Sequence, residues 1–325
     1  MKTKRITALI IALLMMAAAF VGCSSDDGEK SESDAKLKIV ATIFPEYDWV
    51  INILGERAED VSVEFLLCDG VDMHSFQPSA DDIIEISTCD IFIYVGGESD
   101  AWAKDALSEA VNKDMTVLSL MDVMGESLKE EETVEGMQSN LSEEDETEYD
   151  EHVWLSLKNA IVCCEAIERA IAEKEPEYAD VYKENADAYI SELKALDERY
   201  EEMRETAEND TLLFGDRFPF RYLVDDYGLK YYAAFSGCSA ETEAAFETVM
   251  FLSDKLGELD IHVVLTIDGA DTRLAETIIA SSGRDDVSIM SLNSMQSVMS
   301  EDIENGITYL SAMENNLNVI RSALS

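Results

Sequence analysis

The stretch DIFIYV at Asp90–Val95 decides the fold class of this chain. Its five consecutive apolar residues are typical of a strand that is buried on both faces of a sheet. Helical patterns flank it, because Ser79 is placed to cap a helix at Ala80–Ser87 and Asp100 to cap one at Ala101–Val111. Strands that alternate with helices in this way predict a parallel sheet.

The same alternation covers both halves of the chain. In the first half it predicts a helix at Pro45–Arg57 and strands at Leu37–Phe44, Val61–Leu67, Asp90–Val95 and Thr116–Leu120. After residue 210 it predicts strands at Thr211–Phe214, Leu229–Phe235, Ile261–Ile267 and Val287–Met290. The helices of that half are predicted at Phe218–Asp226, Ala240–Leu256, Asp271–Ser282 and Asp302–Ala323. The repetition indicates two Rossmann-like α/β lobes.

One long helix is predicted between the two lobes. Pro176 opens it, and the helical pattern runs to about Glu208. Apolar residues recur every three or four positions and form a single stripe: Tyr178, Tyr182, Ala186, Tyr189, Leu193, Leu196, Tyr200 and Met203. A coiled coil is one interpretation of this stripe. We favour the other, a rigid spine packed across both lobes, because this single helix has no evident partner chain with which to form a coiled coil.

The net charge of the chain excludes some functions. Its 325 residues carry 24 Lys and Arg against 69 Asp and Glu, which gives −45. Such a surface repels the phosphates of nucleic acids and of anionic lipids, so we expect no nucleic-acid partner. Cations or basic partners are the ligands that this charge attracts. The 47% of hydrophobic residues supplies enough apolar material for packed cores.

The first 36 residues have the pattern of a bacterial lipoprotein leader. Three basic residues precede a 15-residue apolar stretch, Ile6–Phe20, which is too short to span a bilayer and suits a signal peptide. It ends in FVGC, where Cys23 stands as in a lipobox. We expect a signal peptide over 1–22, lipid on Cys23, a flexible tether over 23–36 and an extracytoplasmic, membrane-anchored protein. The alternative is an ordinary signal peptide with an incidental cysteine.

The remaining cysteines do not form a recognisable motif. They are Cys68, Cys89, Cys163, Cys164 and Cys238. Their number is odd and none lies in a CxxC pair, so the sequence supports neither a zinc ribbon nor a thioredoxin site. We interpret them as buried free thiols, with a disulfide of Cys68 as the alternative.

One segment departs from the βα pattern. Glu126–Glu151 contains 12 acidic residues and one lysine without periodicity, and we expect a disordered or mobile loop. We hypothesise that this acidic loop collects metal ions weakly and passes them on. The alternative is a solvated insertion without a role.

Two of the three histidines stand where metal ligands are expected. His74 follows the strand Val61–Leu67, and His152 lies where the acidic loop returns to the fold. Parallel α/β sheets collect their ligands beyond the carboxyl ends of the strands. The third, His262, opens an apolar strand and is interpreted as an ordinary surface or core residue.

Two carboxylates occupy matching positions in the second lobe. Asp216 follows the strand Thr211–Phe214, and Asp268 follows Ile261–Ile267. Each is also placed to cap a helix, which is the alternative. Together with the two imidazoles, they would complete a four-ligand cage for a divalent metal in the cleft between the lobes.

Four motifs resemble those of the zinc/manganese solute-binding lipoproteins of bacterial ABC importers. DGVDMHSFQPSADD at 69–82 and DEHVWLSLKNA at 150–160 resemble the two metal-histidine motifs of that family. IFIYVGGESDAWAKDAL at 91–107 resembles the stretch after the first motif, and FRYLVDDYGLKYYAAFSG at 220–237 the region after the third ligand. The resemblance covers essentially the whole mature chain.

This resemblance implies a binding protein, not an enzyme, that captures a divalent transition metal and delivers it to permease and ATPase subunits. It implies two lobes, 37–157 and 210–325, joined by a helical linker over 158–209 that includes the long helix 176–208. Carried over by position, the metal ligands are His74, His152, Asp216 and Asp268. Two features depart from the family: Asp216 stands where zinc-type members have a third histidine, and the acidic loop holds no histidine before His152.

Zinc is the favoured cargo and manganese the alternative. Four tetrahedral ligands suit zinc, and an N/O site binds zinc more tightly than manganese. A set of two histidines and two carboxylates, however, resembles the manganese-binding members, since bidentate aspartates raise the coordination number. Rival functions are a metallohydrolase, a haem or siderophore carrier and a surface adhesin. The chain has no HExxH motif, and four protein ligands leave no position for a reactive water, which argues against the hydrolase.

Overall fold

Eight strands form two parallel sheets in the computed structural model, which describes residues 37–138, 148–239 and 243–325. The first sheet contains β1 (Lys38–Ala41), β2 (Ser62–Phe65), β3 (Ile91–Tyr94) and β4 (Thr116–Ser119). The second contains β5 (Thr211–Phe218), β6 (Lys230–Ser236), β7 (Val263–Ile267) and β8 (Ser288–Leu292). The predicted α/β class with two parallel sheets is confirmed. The predicted signal peptide, Cys23 and the tether lie outside the described residues, as does part of the acidic loop.

Both sheets have the same topology. Their strand orders are β2-β1-β3-β4 and β6-β5-β7-β8, and all neighbouring strands run parallel. The first strand of each sheet therefore lies inside it, and the chain crosses first to one side and then to the other. Such a reversal opens a crevice beyond the carboxyl ends of the strands, where side chains from several loops can meet.

Helices connect the strands throughout the described residues. They are α1 (Phe44–Leu54), α2 (Ala80–Thr88), α3 (Ala101–Ser108), α4 (Leu120–Met124), α5 (Leu157–Lys174), α6 (Ala179–Thr206), α7 (Arg221–Asp226), α8 (Phe246–Glu258), α9 (Arg273–Ser282), α10 (Ser300–Glu304) and α11 (Tyr309–Ala323). The prediction of one helix over Asp302–Ala323 is wrong. Gly306 has φ +93°, which ends the first helix, and the Thr308 hydroxyl then caps α11 by accepting the N–H of Ser311 at 3.1 Å.

The predicted spine is α6, a helix of 28 residues and about 42 Å. Its apolar stripe is buried from Tyr182 to Met203, and it belongs to a hydrophobic core that also contains residues of both sheets. The hydroxyl of Tyr189 donates to Asp48 in α1 at 3.1 Å, and that of Tyr200 to the carbonyl of Met313 in α11 at 2.6 Å. The helix is thus fastened at two points along its length, as expected for a spine.

The described residues belong to one compact unit, and the lobe boundaries 37–157 and 210–325 with the linker 158–209 stay predictions. Every described cysteine is a free thiol, and Cys89, Cys163 and Cys164 are buried. Within the described ranges, no helix combines the length and the apolar character that a bilayer crossing requires.

Candidate metal centre

Each of the two predicted histidines is held by the aspartate two residues before it. Oδ1 of Asp72 accepts the backbone N–H of His74 at 3.0 Å and lies 2.7 Å from its Nδ1. Oδ1 of Asp150 accepts the backbone N–H of His152 at 2.8 Å and lies 3.0 Å from its Nδ1. A carboxylate in this position keeps the proton on Nδ1, so Nε2 of each ring retains the lone pair that a metal needs.

The two imidazoles lie side by side at the carboxyl ends of the first sheet. Their ring centroids are 5.3 Å apart. His152 is completely buried, and Nε2 of His74 is a buried nitrogen without a hydrogen-bond partner among the described residues. Leaving such an atom unpaired is unfavourable, and the exceptions in native proteins commonly mark a binding site.

Cys238 is the third member of this group. One ligand atom each from His74, His152 and Cys238 lies within 4.8 Å of the other two. Cys238 follows β6, and the preceding Gly237 makes the approach possible, since a Cβ there would lie 2.9 Å from Cε1 of His152. Imidazole and thiolate are preferred zinc ligands, so this group has the donors of a zinc site.

Cys238 was not predictable as a ligand, because a cysteine outside CxxC carries no local signal. Its position after the carboxyl end of a strand, like that of His74, was the clue available. Burial, then the charge of Glu151, raises the pKa of its thiol, so Cys238 carries a proton when no metal is bound. A metal that binds its sulfur must displace that proton.

Asp216 lies inside β5 and not after it. The pairing of β5 with β6 shifts register between Phe214 and Arg217, and Asp216 occupies this irregular stretch. Its two carboxylate oxygens accept the backbone N–H groups of Arg217 at 2.8 Å and Ile267 at 3.0 Å. Burial raises the pKa of this carboxyl. It lines a cavity together with His74 but is outside the three-donor group, and its role as a ligand stays a prediction.

Asp268 follows β7 and is exposed. It lines a cavity of about 560 Å³ together with Asp72, Arg217 and Gln296, and it too is outside the three-donor group. The guanidinium of Arg217 donates to Oδ2 of Asp72 at 2.9 Å, which places a fixed positive charge beside this cavity. Ligation by Asp268 stays a prediction.

His262 is far less enclosed than the other two histidines. It is exposed, its Nδ1 lies 3.1 Å from the carboxylate of Asp286, and its Nε2 lies 3.6 Å from that of Asp260. It is not part of the three-donor group. This agrees with its interpretation as an ordinary surface residue.

An acidic cavity lies next to the group of His74, His152 and Cys238. It measures about 770 Å³, and His74 and Cys238 line it together with Glu98, Glu148 and Glu151. Glu151 is buried; its Oε1 accepts the N–H of Ser99 at 3.0 Å, and its Oε2 has no hydrogen-bond partner among the described residues. Carboxylates that line a cleft raise the local concentration of cations.

Gly97 makes room for the Glu151 carboxylate. It has φ +79°, and a Cβ at this position would lie 2.3 Å from Oε1 of Glu151. A side chain here would therefore strain the backbone and push the carboxylate away. The loop after β3 thus contributes to the wall of the metal centre without supplying a ligand.

Comparisons with known proteins agree with this geometry. The family described as "Zinc-uptake complex component A periplasmic" matches residues 39–323. The chain is similar to the zinc-binding lipoprotein AdcA of Streptococcus pneumoniae, with 31% identity over 320 residues, 98% of this chain and 60% of AdcA. It is also similar to the high-affinity zinc uptake system protein ZnuA of Bacillus subtilis, with 25% identity over 97% of this chain and 96% of that protein.

A solved structure of the Zn(II)-bound ZnuA-like domain of Streptococcus pneumoniae AdcA has the same fold. It superposes with a TM-score of 0.70 at 27% identity and covers 89% of this chain and 98% of that domain. In the sequence comparison, the chain spans about 60% of the length of the full AdcA lipoprotein. The resemblance drawn from the four sequence motifs is confirmed.

Proposed function

This chain belongs to the family of zinc-uptake complex A components, and from that premise we propose that it captures zinc for an uptake complex of this kind. The family consists of binding components of transporters, so the expectation of a binding protein without enzymatic activity is confirmed. The observation that carries the proposal is the group of His74, His152 and Cys238, whose donor atoms lie within 4.8 Å of one another.

The donor chemistry favours zinc over manganese. A thiolate and two neutral imidazoles suit zinc, whereas manganese prefers carboxylate, carbonyl and water oxygens. Asp216 and Asp268, whose carboxylates would favour manganese, are not part of the group of His74, His152 and Cys238. The competing proposal is the ligand set predicted from the sequence. In that set Asp216 and Asp268 turn toward the metal, and Cys238 is not a ligand.

Capture follows from the charges of the site. The cavity walls concentrate cations near His74, and both imidazoles present Nε2 because their Nδ1 protons are held by Asp72 and Asp150. The thiol of Cys238 loses its proton when zinc binds. We further propose that release occurs to permease and ATPase partners, and that lipid on Cys23 keeps the protein at the outer face of the membrane. An adhesin role stays a prediction.

Competitive titration of the purified chain with zinc and with manganese, each against a chelator of known affinity, tests this function. We expect one zinc per chain, bound more tightly than manganese. His74→Ala and Cys238→Ser should each weaken zinc binding by about a hundredfold or more, since one of three protein ligands is lost. His262→Ala is the matched control and should bind as the unsubstituted chain does.

Asp216→Asn separates the two ligand sets. Its affinity for zinc should stay within a few fold of the unsubstituted chain, because the Asp216 carboxylate is bonded to backbone N–H groups and is outside the three-donor group. A loss as large as that of His74→Ala would favour the competing set. Zinc binding that is undiminished in His74→Ala would remove the proposed function itself.

A further inference from the structure

Gln296 places its side-chain amide between the two imidazoles. It follows β8, is 3% exposed, and its Nε2 lies 3.0 Å from Nε2 of His152 and 3.3 Å from Nδ1 of His74. The ordinary roles of a buried glutamine are a structural hydrogen bond or a contact to substrate. Which role Gln296 has depends on the ring nitrogen that its amide contacts and on whether that nitrogen carries a proton or a lone pair.

The other hydrogen-bond partners of the two rings decide which of these two contacts is a hydrogen bond. Nδ1 of His74 already donates to Asp72 at 2.7 Å, so it has no lone pair to offer to an amide N–H. Nδ1 of His152 donates to Asp150, which leaves a lone pair on its Nε2. The amide of Gln296 therefore donates to Nε2 of His152 and occupies the lone pair that a metal would use.

The backbone around Gln296 is held firmly. The carbonyl of Ser294 accepts the indole N–H of Trp154 at 2.9 Å, and the backbone N–H of Asn293 donates to Oδ1 of Asn316 at 2.8 Å. Met295 has φ +58°, an unfavourable conformation for a side-chain-bearing residue, and it persists because its surroundings fix it. Any movement of Gln296 is therefore expected in its side chain and not in its loop.

A displaced side chain has space to enter. Gln296 lines the cavity of about 560 Å³ whose walls include Asp72, Arg217 and Asp268. This cavity is a different one from the acidic cavity at His74 and Cys238. The amide can therefore turn away from His152 on one side while a cation arrives from the other.

We propose that Gln296 is an internal competitor of the metal: its amide holds the lone pair of His152 in the unloaded protein, and zinc must displace it. This inference rests on the proposed function and adds a specific role for one residue. The competing bond keeps His152 in the tautomer that binds metal, and it lowers the affinity for zinc. Because the amide can return to Nε2 as the metal leaves, it also favours release, which a carrier requires.

Zinc titration of Gln296→Leu tests the proposal, with Gln77→Leu as the matched control. Gln77 is exposed, and its side-chain amide donates to the carbonyl of Phe76. Removing one neutral hydrogen bond from the unloaded state should tighten zinc binding about threefold to tenfold and slow transfer of zinc to a chelator by a similar factor. Gln77→Leu should change neither quantity. Gln296→Ala provides a second test if the leucine variant does not fold.

A rise in affinity is diagnostic, because damage to the fold lowers affinity. Weaker zinc binding in both Gln296 variants would overturn the proposal. Unchanged affinity and transfer rate would also overturn it. His152→Ala, titrated in parallel, separates this inference from the proposed function: if His152→Ala loses zinc while Gln296→Leu is unchanged, only the inference fails.

A measurement on the unsubstituted chain provides a second readout. In the unloaded protein, the side-chain amide protons of Gln296 should show the downfield NMR shift of a hydrogen bond to an imidazole nitrogen. Addition of one equivalent of zinc should abolish this shift. A Gln296 amide resonance that zinc leaves in place would contradict displacement.

Discussion

Arg217 and Asp72 form an ion pair between β5 and the loop that follows β2, beside the candidate metal centre. The guanidinium of Arg217, at the end of β5, donates to Oδ2 of Asp72 at 2.9 Å, while Oδ1 of the same carboxylate holds His74. Burial opposes the charge of Asp72, but the hydrogen bonds from His74 and Arg217 outweigh it and hold the pKa of this carboxyl well below its usual range. Asp72 thus remains an anion that orients His74, a proposed ligand.

Asp72→Asn should weaken zinc binding by about tenfold to a hundredfold, the usual cost of losing the carboxylate behind a histidine ligand. Arg217→Met is the matched control, because it removes the other partner of Asp72 and leaves the bond to His74. Its zinc affinity should fall much less. Competitive titration of both variants checks this, and equal losses would assign the effect to the ion pair of Arg217 with Asp72.

Glu151→Gln should weaken zinc binding without destabilising the unloaded protein. The Glu151 carboxylate lines the acidic cavity, and its buried Oε2 is unpaired in the described residues, so a neutral amide lowers the attraction for a cation and removes an unfavourable buried charge. Glu59→Gln, an exposed acid outside this cavity, is the control. Titration and thermal unfolding separate the two effects, and a drop in the melting temperature would indicate a purely structural role for Glu151.

Glu46→Gln should flatten the dependence of stability on pH. Burial and the charge of Asp100 raise the pKa of Glu46 from 4.5 to about 8, so the folded chain keeps a proton that the unfolded chain has lost between these values. Its contribution to stability is therefore complete below about pH 4.5 and decreases by about 1.4 kcal/mol for each pH unit up to about 8. Denaturant unfolding at several pH values measures this slope. The exposed Glu59→Gln should leave it unchanged.

The long helix should limit the movement that accompanies zinc binding. It is bonded to α1 through Tyr189 and to α11 through Tyr200, so we expect rearrangement of loops and side chains without a wide swing of the two sheets. Small-angle scattering should give the same radius of gyration with and without zinc. A contraction of the size seen when hinged binding proteins close would contradict this expectation.

The strands were predictable where a short apolar run stands between cap and turn residues, as at Ile91–Tyr94. The spine was predictable because its stripe repeats over many turns. The break at Gly306 was not, since the apolar pattern continues across it and only its positive φ ends the helix. The irregular stretch at Asp216 was not predictable either, because it depends on the pairing of β5 with β6.

Part of the metal centre was also visible in the sequence. The repeated Asp-x-His pattern of Asp72 with His74 and Asp150 with His152 is local, and the carboxylate behind each ring is its consequence. The approach of Cys238 is not local. It depends on how the two sheets pack and on Gly237, which lets the turn after β6 reach His152. The same holds for Gln296, which is 144 residues from His152 in sequence.

Zinc K-edge X-ray absorption of the zinc-loaded chain reports the atoms bound to the metal and so tests the proposed ligands His74, His152 and Cys238. We expect one sulfur neighbour at about 2.3 Å together with imidazole nitrogens at about 2.0 Å. The sulfur signal should vanish in Cys238→Ser and persist in Asp216→Asn. A first shell of nitrogen and oxygen alone in the unsubstituted chain would exclude Cys238 as a ligand and favour the set His74, His152, Asp216 and Asp268.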